Sequence, residues 1–158
     1  MNKISYNLNQ LNSLVSSISL GDYKVKIGIM GGKASQTHAK GKASNAEIGL
    51  VHEYGSFSKN IPARSFLRMP LFYKSNVILS RMSFKAFISA FSGNKLLFLK
   101  QLGIVCEGVI QEAFATMGFG MWRSLKSKTI SRKKGQNPSP LINTGQLRRS
   151  ISSQVVHK

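Results

Sequence analysis

Acidic residues are the scarcest feature of this sequence. Its 158 residues include 23 Lys and Arg but only five Asp and Glu, which gives a formal net charge of +18 at pH 7. Acid–base hydrolysis and nuclease metal sites both need carboxylates that converge on one point. Glu107 and Glu112 lie too far apart around a helix to converge, and Asp22, Glu47 and Glu53 are scattered. The composition therefore argues against a hydrolase or a nuclease.

Cysteine and histidine are also too few for the common catalytic and metal-binding sites. Cys106 is the only cysteine, which excludes an intrachain disulfide and a cysteine-based metal cluster, and its apolar surroundings predict burial. His52 and Glu53 begin like a metalloprotease helix, but Ser56 stands where the second zinc-binding His would be. The run GGK at 31–33 lacks the hydroxyl residue that follows in a phosphate-binding loop. We expect no enzyme, no metal and no cofactor.

A long apolar run is missing as well. The first 21 residues are interrupted by Asn and Ser, so they resemble neither a secretory signal nor a membrane anchor. We therefore expect a soluble protein made in a cytoplasm, with no membrane partner. At 158 residues and 42% hydrophobic content, the chain suits a single domain over 1–158 with one core.

The apolar periodicity predicts an α+β fold. Residues 1–21 carry apolar side chains at alternating four- and three-residue spacing, which indicates an N-terminal helix. The segments YKVKIGIM and ISSQVV, near the two ends, alternate like half-buried strands. Between them, AEIGLVHEYG reads as a short helix that Ser44 or Asn45 caps and Gly55 stops. We expect a small antiparallel sheet packed against the N-terminal helix and a helical hairpin, with long basic loops.

The hairpin is predicted over residues 75–117. Its first helix, over 75–91, has the wide apolar face Val77, Ile78, Met82, Phe84, Phe87, Ile88 and Phe91, and its second runs from about Lys95 to Met117. Residues 31–44 read as a flexible basic loop, and the segment between Pro62 and Pro70 as extended. Residues 122–158 read as a helix-loop-strand unit, with Trp122 and Leu125 on the short helix and Thr144 capping a later turn.

The excess of positive charge predicts a polyanionic partner. Nucleic acid and acidic protein surfaces satisfy it equally well. A solvated basic face is the simpler reading, because the phenylalanines fall at core spacing and the basic loops contain no rings for base stacking. Residues that could contact a polyanion are Lys33, Lys40, Lys42, Arg132, Lys133 and Lys134. A small nucleic-acid-binding protein is thus the alternative function. We also expect Glu53 to pair with Arg64 and Arg68 and so fix their loop.

Two segments resemble one family of phage proteins. The first is AEIGLVHEYGSFSKNIPARSFLRMPL, with its Glu-aromatic-Gly turn followed by Ile-Pro-Ala-Arg. The second is SLKSKTISRKKGQNPSPLINTGQLRRSISSQVV, with Pro-Leu-Ile, Thr-Gly-Gln-Leu and Ser-Ile in order. Their order and spacing resemble the tail-completion, head-tail joining and virion-morphogenesis proteins of tailed bacteriophages. The resemblance spans roughly residues 24 to 156, which is most of the chain.

The resemblance implies a non-catalytic α+β structural subunit of the virion. Such subunits form a ring, of six copies, in the neck between the connector and the tail terminator or tail tube, after synthesis in the host cytoplasm. DNA in the channel is a further expected contact. The matching positions, expected to shape the fold and the ring contacts, are Glu53, Gly55, Pro62, Arg64, Phe66, Leu67, Thr144, Gly145 and Leu147. Ser65, where the family often has proline, and the extra N-terminal helix leave open the choice between tail completion, tail terminator and head closure.

Overall fold

The computed structural model describes residues 23–37, 43–133 and 138–157. The predicted N-terminal helix lies outside the described residues, as do Lys40, Lys42 and Lys134. In chain order the described elements are β1 (Tyr23–Ile29), α1 (Gly32–Ser35), α2 (Asn45–Tyr54), α3 (Arg68–Tyr73), α4 (Ser75–Arg81), α5 (Phe84–Phe91), α6 (Lys95–Ala115), α7 (Ser127–Ser131), α8 (Gln146–Arg149) and β2 (Ile151–His157). The predicted α+β class is confirmed.

The two predicted strands form one antiparallel sheet. Tyr23 lies opposite His157, and Ile29 lies opposite Ile151. In β1 the exposed Lys24 and Lys26 alternate with half-buried apolar residues, as the period of two requires. The sheet thus joins the two ends of the described chain.

The long helix α6 packs along this sheet and is parallel to β1. Gly103 lies beside Val25 and Ser153, and further along the helix Ile110 belongs to the same cluster as Ile29. A glycine at the closest point lets the helix backbone approach the strands. The main core forms where they meet and contains Phe66, Ile110, Phe114, Leu147 and Ile151. Cys106 is buried, as predicted, and burial raises the pKa of its thiol.

The first arm of the predicted hairpin is two helices rather than one. Helix α4 ends at Arg81, Met82 is extended, and the hydroxyl of Ser83 accepts a hydrogen bond from the amide of Ala86, so a new helix begins there. Local capping by Ser83 therefore overrides the continuous apolar period of the sequence.

The predicted apolar face of this arm is only partly buried. Ile78 and Met82 lie in the core, but Phe84, Ile88 and Phe91 are 80%, 47% and 43% exposed. The reason is that α5 buries its small residues, Ala86, Ser89 and Ala90, instead. Small side chains permit close helix packing against α6. Of the large ones, Phe87 is half-buried with its ring 5.7 Å from that of Phe98, and the other three are directed outward.

Several boundaries outside the hairpin also differ from the prediction. Pro70 lies in the first turn of α3, where its missing N–H removes no helical hydrogen bond, so the extended segment ends sooner. Trp122 and Leu125 precede the short helix α7 instead of lying on it. Residues 32–35 of the predicted basic loop are helical. The hydroxyl of Thr144 accepts a hydrogen bond from the amide of Gln146 at 3.3 Å, but the N-cap of α8 is Gly145, so Thr144, the predicted cap, precedes the capping position.

Two glycines of α6 provide a matched test of this packing. A Cβ atom at Gly103 would lie 2.5 Å from Ser153 Oγ and 2.9 Å from Ser153 Cβ, whereas one at Gly108 meets nothing within 4 Å. We expect Gly103→Ala to lower the free energy of unfolding by about 1–2 kcal/mol through overpacking. Gly108→Ala, the control, should raise it by about 1 kcal/mol through helix propensity. Urea denaturation measures both, and equal effects would contradict the close contact.

Candidate functional site

Local hydrogen bonds and a glycine define the two ends of helix α2. Ser44 and Glu47 form a capping box, in which the Ser44 amide donates to the Glu47 carboxylate at 2.8 Å. Gly55 ends the helix with φ +80°, and a Cβ there would lie 2.8 Å from the amide nitrogen of Ala63. The predicted cap and stop are thereby confirmed. The chain after Gly55 turns back and runs beside the helix end.

Glu53 is the acceptor around which the returning segment is built. Its carboxylate accepts hydrogen bonds from the amides of Phe66, Leu67 and Arg68 at 2.8, 3.0 and 3.1 Å, and from the hydroxyl of Ser65 at 2.5 Å. Burial alone would raise the pKa of Glu53, but these donors outweigh it and hold the pKa below its ordinary value. The carboxylate is therefore ionised, and both of its oxygens accept hydrogen bonds from within the protein.

The expected pairing of Glu53 with two arginines is right for one of them. Arg68 Nε lies 3.3 Å from the Glu53 carboxylate, while Arg64 donates to the carbonyl oxygens of Arg123 at 2.9 Å and Ser124 at 3.5 Å. Successive side chains of an extended segment point to opposite sides. Ser65 faces Glu53, so Arg64 faces away from it and towards the later part of the chain.

The two motif segments meet in the fold. Phe66 from the first and Leu147 from the second share the main core, and the Phe66 and Phe114 rings lie 5.3 Å apart. Trp122 Nε1 donates to the carbonyl of Ser65 at 3.1 Å. Segments far apart in sequence thus form one unit around the Glu53 turn.

Most of the predicted motif positions lie inside this unit. Glu53, Arg64, Phe66 and Leu147 are buried. Thr144 is exposed. The half-buried positions are Gly55, Pro62, Leu67 and Gly145. Their place in the fold is visible, whereas their expected part in ring contacts stays a prediction.

Of the predicted polyanion contacts, Lys33, Arg132 and Lys133 lie within the described residues. Lys33 and Arg132 are exposed, but Lys133 is half-buried and its ammonium donates to the carbonyl of Ser139 at 2.5 Å. Burial, and then the charge of Arg64, lower the pKa of Lys133. Lys133 thus helps to hold the C-terminal segment in place.

Sequence reasoning missed a cationic cavity of about 650 Å³. It lies between the turn at 56–61 and the segment after Trp122, and Arg64, Arg123 and Lys126 line it. Phe57, at its rim, is fully exposed. The basic loops of the sequence contain no rings, as expected, but the fold brings Phe57 from another part of the chain into a cavity that Arg64 and Arg123 line.

Sequence reasoning also missed two exposed apolar surfaces. The α5 stripe consists of Phe84, Ile88 and Phe91, which share one side of the helix. The α2–α3 surface is formed by the exposed Leu50 and Tyr54 of α2, which line one cavity with Leu67 and Arg68 at the start of α3. The guanidinium of Arg68 lies 4.7 Å from the centre of the Tyr54 ring, which ties this second surface to the Glu53 turn.

Within residues 23–37, 43–133 and 138–157, no three His, Cys, Asp or Glu side chains are placed to hold a metal ion. In the same ranges, no helix has both the length and the apolar character needed to span a membrane. Comparison of the chain with protein-family models, curated proteins and solved structures finds no match. The function must therefore be argued from the chain's own residues.

The Glu53 turn predicts a large effect of a small substitution. Glu53→Gln replaces one acceptor oxygen with a donor that faces other donors, so we expect a loss of about 2–3 kcal/mol in unfolding free energy at pH 7. Because the folded-state pKa is lowered, the carboxylate stabilises above the unfolded pKa of 4.5 and loses this effect as pH falls through the folded value. Denaturation from pH 7 to pH 2 should show the two proteins converging.

The control is a surface ion pair. Arg81 Nη1 and the Glu112 carboxylate lie 2.6 Å apart with both side chains more than 40% exposed, and Glu112→Gln should cost less than about 1 kcal/mol. A comparable loss in the two variants would contradict the special place of Glu53.

His52 predicts a second pH dependence at higher pH. Burial, and then the charge of Arg64, lower the pKa of His52 from 6.5 to about 4. The unfolded chain then binds a proton that the folded chain does not, so stability should fall between pH 6.5 and pH 4, by up to about 3 kcal/mol. His52→Gln should flatten this part of the profile in thermal denaturation. An unchanged slope in the variant would contradict the assignment.

Proposed function

We propose that this chain is a non-enzymatic structural subunit of a tailed-phage virion, acting in tail completion or head-to-tail joining at the neck. The observation that carries the proposal is the contact between the two motif segments. Phe66 and Leu147, one from each segment, pack in one core, and Arg64 of the first segment donates to the carbonyl of Ser124 in the second at 3.5 Å. Two segments that are distant in sequence but pack together can belong to one shared fold, and this supports the resemblance to the phage family.

The apolar surfaces support assembly into a ring. A ring needs two different surfaces on each subunit, one for each neighbour. The α5 stripe and the α2–α3 surface are on different helices and consist of large apolar side chains. Exposed apolar patches of this kind mark contact sites in soluble proteins. In a chain of net charge +18, they are also where copies can meet without like charges opposing each other.

The sheet supports the same proposal. Among the described residues, β1 and β2 pair only with each other. A two-stranded sheet presents outer edges whose N–H and C=O groups suit a strand or loop from a neighbour. In this proposal the subunit contacts copies of itself, six in a closed ring, and the connector, tail terminator or tail tube. Its basic surface faces acidic neighbours or channel DNA.

The test combines imaging with a surface variant. Electron cryomicroscopy of virions produced with this chain should show it as a symmetric ring between portal and tail. Ile88→Asp, in the α5 stripe, should keep the melting temperature of the purified protein but remove the ring, because a buried unpaired charge costs several kcal/mol. Virions with no copy of the chain at the neck would overturn the proposal.

The matched control is Asn76→Asp. Asn76 is exposed in the first turn of α4, so the change introduces the same charge without touching an apolar surface. Ring formation should persist in this variant. A ring lost in both variants would point to net charge rather than to the α5 stripe.

A further inference from the structure

The cationic cavity has no opposing charge in its walls. Arg64, Arg123 and Lys126 line it together with polar and apolar residues, and no acidic side chain does. Glu53 is the nearest carboxylate in sequence to Arg64, and it accepts hydrogen bonds from the amides of residues 66–68 instead. The cations therefore gather here without a neutralising partner from the walls of the cavity.

The cations also oppose one another. Arg64 is only 6% exposed, and its guanidinium is tied to the carbonyls of Arg123 and Ser124. Burial, and then the charge of Arg123, lower the pKa of Arg64, and the charge of Arg64 contributes to the lowered pKa of Lys133. Like charges held together by the fold create a positive potential that an anion entering the cavity would relieve.

A tight turn holds the ring of Phe57 in solvent at the rim. Ser56 and Ile61 pair across the turn, and the amide of Asn60 donates to the Phe57 carbonyl at 3.0 Å. Asn60 adopts φ +50°, a conformation that asparagine tolerates better than most residues. The turn thus presents an apolar ring beside cationic side chains, although burying it would be favourable.

Proteins that bind single-stranded nucleic acid combine two features, cationic side chains and exposed aromatic rings, and this cavity has both. The cations hold the backbone phosphates, and a base stacks on the ring. A duplex keeps its bases stacked inside, so it would use the cations but not Phe57. A free phosphate ion would likewise leave Phe57 unused. The exposed ring therefore favours a single strand over either alternative.

We propose that this cavity binds a single strand of nucleic acid, with Arg123 and Lys126 each on a different backbone phosphate and Phe57 stacked on a base. Arg64 is a positioning residue, because its guanidinium holds the carbonyls of the segment that carries Arg123. This activity goes beyond the proposed structural role, and it neither requires a ring nor is excluded by one.

The test is fluorescence anisotropy of a labelled oligothymidylate of about ten nucleotides, titrated with the full chain at several salt concentrations. The double variant Arg123→Ala/Lys126→Ala should weaken binding and reduce the salt slope by about 1.4, because each single-strand phosphate contact contributes about 0.7. Phe57→Ala should weaken binding about 10-fold with an unchanged slope. Arg64 is left intact because it is buried.

The control variant is Lys24→Ala/Lys26→Ala, which removes the same charge from exposed positions on β1. It should change affinity and slope much less than the cavity variant. Equal losses in the two double variants would overturn the site in favour of nonspecific attraction to net charge.

Two further binding measurements distinguish a single strand from a duplex and from a phosphate ion. A duplex of the same length that binds as tightly as the single strand, with Phe57→Ala without effect, would overturn the single-strand proposal. Inorganic phosphate that displaces the oligonucleotide at equal phosphate concentration would assign the cavity to a phosphate ion instead. Thermal denaturation of each variant confirms that the fold is retained.

Discussion

The carboxylate of Glu53 is the group on which the rest of this structure depends. By accepting from three successive amides and the Ser65 hydroxyl, it fixes residues 65–68 as a tight turn against the end of α2. The turn inserts Phe66 into the core and places Arg68 over Tyr54. It also sends Arg64 to the opposite side, towards residues 123–124. One buried anion thus fixes the segment that supplies Phe66 to the core and Arg64 to the cationic cavity.

Three of the four carboxylates in the described residues make contacts within the protein. Glu47 caps α2, Glu53 holds the turn, and Glu112 pairs with Arg81. The anions that could neutralise Lys and Arg are thus largely committed within the fold. A surface left this positive resists self-association except where apolar side chains cover it. The α5 stripe and the α2–α3 surface lie on different elements of the described chain from the cationic cavity, and the two proposals depend on this separation.

The features that the sequence predicts well are those set by neighbours in the chain. Alternation in β1 and β2, the Ser44 cap and the Gly55 stop all follow from local patterns. The break at Ser83 and the outward side of Phe84 were missed because the apolar period alone does not show which residues a helix packs against. The cavity was missed because Phe57 and Arg123, which are far apart in sequence, line one cavity only in the folded chain. Local rules predict elements, while contacts between distant segments depend on packing and buried charge.

The position of Trp122 makes the joint between the first motif segment and the segment that follows α6 observable by fluorescence. It is the only tryptophan of the chain, its ring lies edge-on to Phe114 with centroids 5.8 Å apart, and its nitrogen bonds to the carbonyl of Ser65. Separation of the segments would expose the indole to water and break this bond. The intrinsic fluorescence of the unlabelled protein therefore reports on one particular contact, and its time course after a jump in denaturant would measure how fast that joint opens.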